Sequence, residues 1–198
     1  MIRAYRATGA LLIVAAIVHQ VHGGLALAHW SATDYFSYFT VLSNLLAAMI
    51  FLYGALRPAR PRSHAVELLR GAFVLYMLTT GIVFAVLLSG QDVTDPWVNF
   101  VVHQLMPVVV VLDWAIDPPR VLLSLRQALL WLSFPLLYVA YTLIRGPLAH
   151  WYPYFFIDPR RSGGYPLVAV NCLAIGLGMI FMSALIVRAG QMFLHRRI

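Results

Sequence analysis

Charged residues sit at intervals along this chain and leave six long apolar runs between them, at residues 7–33, 35–56, 71–91, 96–112, 127–144 and 162–187. About 20 mostly apolar residues cross the hydrocarbon core of a bilayer, and slightly fewer suffice where flanking side chains snorkel. The pattern predicts an all-α polytopic membrane protein, six transmembrane helices forming one domain over residues 1–198. Few polar residues interrupt the runs: His19, Gln20, His22, Thr40, Ser43, Asn44, Asn99, His103, Gln104, Tyr138, Tyr141 and Asn171. Polar groups in hydrocarbon are costly, so they usually face the bundle interior and mark a site.

Their depths agree. If odd-numbered helices run outward, His22 lies eight residues before Trp30, Thr40 six after Asp34, His103 eight after Asp95 and Asn171 seven after Gly164. At 1.5 Å per residue all four sit roughly 9–12 Å below the external surface, whereas the inner half reads as apolar. Polar residues that merely glue helices together need not align in this way. Helical spacing adds faces: Thr40, Ser43 and Asn44 share one, Asn99 and His103 another, and His19 and His22 a third. Pro107 removes the N–H that would bond the His103 carbonyl, and Pro135 does the same to Trp131, so a kink is expected at each. Beyond Pro135, Tyr138 and Tyr141 point roughly one way and offer phenolic donors.

Composition confirms the class. The chain is 62% hydrophobic and 11% charged, with a mean hydropathy of +0.82. A net charge of +7 would suggest nucleic acid in a soluble protein. Here topology accounts for it. With both termini cytoplasmic, eleven of the fourteen arginines lie inside and only Arg145, Arg160 and Arg161 outside, as the positive-inside rule prefers. There is no lysine, a coding bias expected of a GC-rich bacterium, so the expected location is a bacterial plasma membrane. The basic stretch 57–64 reads as topogenic, and Asp113-Trp114 as an anchor at the inner interface, too far from His103 to orient it. Arg3 and Arg6 followed by an apolar run and Ala26-Leu27-Ala28 imitate a signal peptide, but His19, Gln20 and His22 break the run, so a retained first helix is expected. Cys172 is the single cysteine, and no intrachain disulfide can form. The external loop 146–164 is dense in proline and in Trp151, Tyr152, Tyr154, Phe155 and Phe156. It suits either a lid over the bundle or an ordinary aromatic belt.

Thr40 and His103 at matched depth supply a hydroxyl and a neutral imidazole, the minimum for a nucleophile with its base. Asn44, Ser43, Asn99, Tyr138, Asn171 and His22 are the candidate substrate contacts or oxyanion donors. The G-x-S-x-G, H-E-x-x-H, C-x-x-C and phosphate-loop signatures are absent.

Three strings carry a family resemblance: Tyr38-Phe39-Thr40-Val41-Leu42-Ser43-Asn44, then His103-Gln104-Leu105-Met106-Pro107 running to Asp113-Trp114, and Tyr152-Pro153-Tyr154-Phe155-Phe156-Ile157-Asp158. With the six spans, the chain resembles the bacterial predicted six-transmembrane proteins over nearly its whole length. These are similar to the eukaryotic androgen-induced proteins, six-helix hydrolases that cleave fatty acid esters of hydroxy fatty acids with an intramembrane threonine nucleophile and a histidine partner. The resemblance implies that Thr40 and His103 hold those roles, with membrane lipids and a fatty acyl ester as partners and no cofactor.

Two other readings stay open on sequence alone. His19, His22 and His103 could form a three-histidine zinc site for a metal-dependent hydrolase, although no carboxylate lies at that depth to orient them. A haem- or lipid-binding protein or a transporter also fits intramembrane histidines, but no inverted repeat with matching broken helices is visible.

Overall fold

A computed structural model describes residues 1–27, 30–57, 62–90 and 95–195. Six helices are long and apolar enough to cross a membrane: α1 (Ile2–Leu25), α2 (Phe39–Leu56), α3 (His64–Leu88), α4 (Pro96–Ile116), α5 (Leu125–Ala149) and α6 (Tyr165–Leu194). No strand occurs among the described residues, and the chain is an all-α integral membrane protein. Of the sequence expectations, those falling on Ala28, Arg60, Gln91, Arg196 and Arg197 lie outside the described residues.

α1 packs along α2 and also on α4, α2 on α3, and α3 on α4, with α6 lying against α5 and returning to α3. α2 shows why. Its buried positions Thr40, Asn44, Ala47, Ala48, Phe51 and Ala55 form one stripe at three- and four-residue spacing. Small residues let neighbours approach closely in lipid. A Cβ on Gly9 would collide with the Phe51 ring, and one on Gly54 would press on the Arg6 side chain.

The helices run past the charged residues expected to end them. Arg3 and Arg6 lie in α1, Glu67 and Arg70 in α3, Asp113 in α4 and Arg145 in α5. Pairing makes this affordable. Arg6 donates to Asp113 at 2.6 Å and to Asp117 at 2.9 Å, Arg70 reaches Asp113 at 2.8 Å and Glu67 at 3.0 Å, and Arg62 reaches Glu67 at 2.9 Å. Arg62 also grips Asp117. Arg6, Arg62 and Arg70 thus pair with Asp113, Asp117 and Glu67 where α1, α3 and α4 meet, with the more exposed Arg120 3.7 Å from Asp117, and the Glu67 side chain is fully enclosed. Asp113 is therefore the centre of a buried ion cluster and not an interface anchor, Trp114 is buried under the Arg70 guanidinium, and Arg62 does more than set topology. The half of the bundle that holds this cluster is not simply apolar. The sequence could show isolated charges but not that they converge from separate helices.

An irregular turn precedes each of the two prolines for which a kink was expected. Ahead of Pro107 the chain makes a π turn at Val101–Leu105, and ahead of Pro135 a 3₁₀ turn at Leu129–Leu132. The Trp131 carbonyl that Pro135 cannot bond accepts the Tyr76 hydroxyl at 2.7 Å.

Candidate functional site

The site forms where the first turn of α2 meets the π turn of α4. Tyr138 donates its hydroxyl to the Ser37 carbonyl at 3.0 Å, and Tyr141 bonds the Ser37 hydroxyl at 2.8 Å. The two tyrosines share a face, as their spacing predicts, but they spend their hydroxyls fixing the segment that enters α2. Thr40, second residue of that helix, has a backbone N–H with no carbonyl four residues back to bond.

Thr40 Oγ1 lies 3.1 Å from His103 Nε2. His103 Nδ1 lies 3.2 Å from the Asn99 carbonyl, one turn earlier on the same helix. A carbonyl only accepts, so Nδ1 carries the proton and Nε2 presents its lone pair to the threonine hydroxyl. The imidazole stacks on Phe84 at 4.4 Å and 20°, which holds its plane. Thr40 is buried and His103 half-buried.

Asn44 braces the pair from below. Its amide donates to the Thr40 carbonyl at 2.9 Å and to the Val102 carbonyl at 3.1 Å. Within the π turn Met106 N–H bonds Val101, five residues back, and Pro107 has no N–H for Val102. Asn44 supplies the missing donor. Ser43 bonds the Thr40 carbonyl at 3.1 Å and the Thr80 hydroxyl at 2.9 Å, tying α2 to α3. Both residues belong to the site as braces; neither has a donor to spare for a substrate.

Tyr154 completes the cluster. Its hydroxyl accepts the Thr40 N–H at 3.2 Å and lies 3.3 Å from Thr40 Oγ1. Burial pushes its phenol up to about 12, although hydrogen bonds with Thr40 pull the other way, so it stays protonated at neutral pH. Its ring stacks on Phe156 at 5.2 Å and 7° and meets Tyr38 edge-on. Asn171 donates to the Phe156 carbonyl at 2.9 Å and so anchors this segment. Asp158, held well below the usual carboxylate range by the Arg160 guanidinium, anchors its far side. Tyr154 was missed as a site residue because a tyrosine in an aromatic loop reads as belt; the string Tyr152–Asp158 was the available signal.

Three cavities adjoin this cluster. An apolar cavity of 640 Å³ between α2, α3, α5 and α6 ends at Thr40 and Tyr154, within the roughly 300–1,000 Å³ typical of ligand pockets. Its lining includes the exposed Leu136, Leu173 and Leu177, so it opens sideways toward lipid. A second, of 790 Å³, lies beyond His103 between α3 and α4 and carries the Asn99 and Gln104 side chains. A polar pocket of 330 Å³ with His150, Asp158, Arg160 and Arg161 lies on the other side of Tyr154.

The histidines of α1 take no part. His19 bonds Asp95 at 2.8 Å and meets Trp97 edge-on, and His22 is exposed and has no hydrogen-bond partner among the described residues. No three His, Cys, Asp or Glu side chains among the described residues are grouped to hold a metal, so the three-histidine arrangement is corrected: His19 is taken by Asp95 and His22 faces outward, neither grouped with His103. No family model, curated protein or solved structure matches this chain. Function must be read from the geometry itself.

Proposed function

We propose that the chain is an intramembrane lipid ester hydrolase in which Thr40 is the nucleophile and His103 its base. The observation that carries this is the 3.1 Å contact between Thr40 Oγ1 and a His103 Nε2 whose tautomer is fixed by the Asn99 carbonyl. A threonine hydroxyl needs a neighbouring base to become nucleophilic, and the lone pair is aimed at it. The apolar cavity ending at Thr40 supplies the binding energy for a fatty acyl chain entering from lipid.

In the reaction Thr40 Oγ1 bonds the ester carbonyl carbon while its proton passes to His103 Nε2, and the carbonyl π pair becomes an oxyanion. The backbone N–H of Thr40, at the positive end of α2, faces that oxygen. Collapse breaks the bond to the alkoxy oxygen, which leaves as the alcohol with the proton from Nε2. Water then attacks the acyl-threonine, gives its proton to His103, and the released threonine oxygen takes that proton back. Fatty acid esters of hydroxy fatty acids, suggested by the sequence motifs, are the first substrates to offer. The end bearing residues 146–164 faces the outside in this reading, both termini lie in the cytoplasm, and the membrane is a bacterial plasma membrane.

The test is hydrolysis of a long-chain acyl ester by detergent-purified protein. Thr40→Ala and His103→Ala are expected to lose at least about 10³-fold in kcat while melting like the wild type. Turnover retained by Thr40→Ala contradicts the reading.

A further inference from the structure

We propose that Tyr154 is a third catalytic residue: its hydroxyl holds, in the resting site, the place the ester carbonyl oxygen takes during reaction, and it then donates a hydrogen bond to that oxygen as charge develops, keeping its proton when the intermediate collapses. The inference rests on the threonine hydrolase reading and deepens it.

The first support is position. One oxygen, that of Tyr154, both accepts the Thr40 N–H at 3.2 Å and lies 3.3 Å from Thr40 Oγ1. An oxyanion formed by Thr40 attack must lie beside Oγ1, and the Thr40 N–H at the head of α2, which no helix carbonyl takes, is the donor nearest to it. The tyrosine oxygen sits where those two requirements meet.

Proton directions supply the second support. Nδ1–H of His103 goes to Asn99, and the Thr40 hydroxyl proton goes to Nε2. The Tyr154 oxygen already accepts from Thr40 N–H, so its own O–H is left to point at Thr40 Oγ1. The other polar groups near the pair are committed elsewhere: Tyr138 to Ser37, and the Asn44 amide to two backbone carbonyls. Tyr154 is the side-chain donor aimed at the reacting atom.

Space is the third. The Tyr154 ring is a shared wall of the apolar cavity and the polar pocket of 330 Å³. A small turn of the ring toward the polar pocket vacates the oxygen site for the carbonyl and keeps the phenol within donating reach. The external segment then belongs to the catalytic apparatus, neither a belt nor a passive cover.

Tyr154→Phe tests this, since it keeps the ring that packs on Phe156 and Tyr38 and removes only the hydroxyl. With the long-chain ester, kcat is expected to fall about 100-fold with KM little changed, in line with loss of one oxyanion donor. A trifluoromethyl ketone carrying the same acyl chain, which forms a hemiketal oxyanion on the threonine, is expected to bind weaker by a similar factor, while inhibition by the free fatty acid stays constant. If Tyr154→Phe does not fold, 3-fluorotyrosine placed at position 154 decides: it keeps the donor with a more acidic phenol, so turnover is retained at neutral pH and lost at a lower alkaline pH than in the wild type. Wild-type kcat or faster turnover in Tyr154→Phe overturns the proposal, as does a fluorotyrosine protein whose alkaline profile does not move. An active Thr40→Ala instead brings down the hydrolase reading beneath it.

Discussion

The Asn44 side chain donates to the Val102 carbonyl across the α2–α4 interface at 3.1 Å, replacing the donor that the π turn and Pro107 take away. The same amide holds the Thr40 carbonyl, so one side chain fixes the register between the Thr40 and His103 segments. Asn44→Ala leaves a buried carbonyl unsatisfied and is expected to cost about 1–3 kcal/mol. Asn44→Asp sets carboxylate oxygens against two carbonyls and is expected to be worse. Thermal unfolding in detergent, with the hydrolysis rate measured alongside, checks both.

The apolar cavity should set chain length. Gly176 lines it, and a Cβ built there meets nothing within 4 Å. Gly176→Leu therefore fills cavity space without backbone strain and raises helix propensity by about 1 kcal/mol. It is expected to raise KM for long-chain esters at least tenfold and to leave butyrate esters unaffected. An equal effect on both chain lengths contradicts the assignment of this cavity to the acyl chain.

The ion cluster should matter to stability and not to chemistry. Arg70→Ala leaves the enclosed Glu67 short of a partner, a loss of about 3–5 kcal/mol for a buried pair broken on one side. Unfolding is expected to shift accordingly, with the activity per folded molecule unchanged.

Acid should act on the same cluster. Burial opposes ionisation of Asp117, but hydrogen bonds from Arg62 and Arg6 outweigh it and hold the carboxyl well below its ordinary 3.8. The unfolded chain then takes up the proton first, so this stabilisation is present above about pH 4 and lost as pH falls below it. The melting temperature is expected to drop on that limb, and Asp117→Asn is expected to flatten the drop.

How much of this was legible in the sequence depended on what spacing can encode. Helix rise is regular, so depth could be counted, and Thr40 and His103 at equal depth do meet. The Asn99–His103 spacing put the two on one face, and there His103 bonds the Asn99 backbone carbonyl. Rotation between helices was not encoded. His22 was counted into the same layer and His19 placed on its face, but His19 bonds Asp95 and His22 is exposed. Arg6, Arg70 and Asp113 read as helix ends because a single charge does not show its partner on another helix. Tyr154 lies on a loop with no periodicity to place its hydroxyl over Thr40. Asn44 shares the Thr40 face, as its spacing predicts, but its role as a brace depends on a π turn where Pro107 signalled only a kink.

The central claim is that Thr40 is activated by His103. Intact mass spectrometry after a fluorophosphonate probe tests it most directly. A single adduct on the wild-type protein, mapped by peptide sequencing to Thr40 and absent from Thr40→Ala and His103→Ala, is the expected result. An adduct that persists in Thr40→Ala, or a wild-type protein that hydrolyses acyl esters without being labelled, contradicts the account.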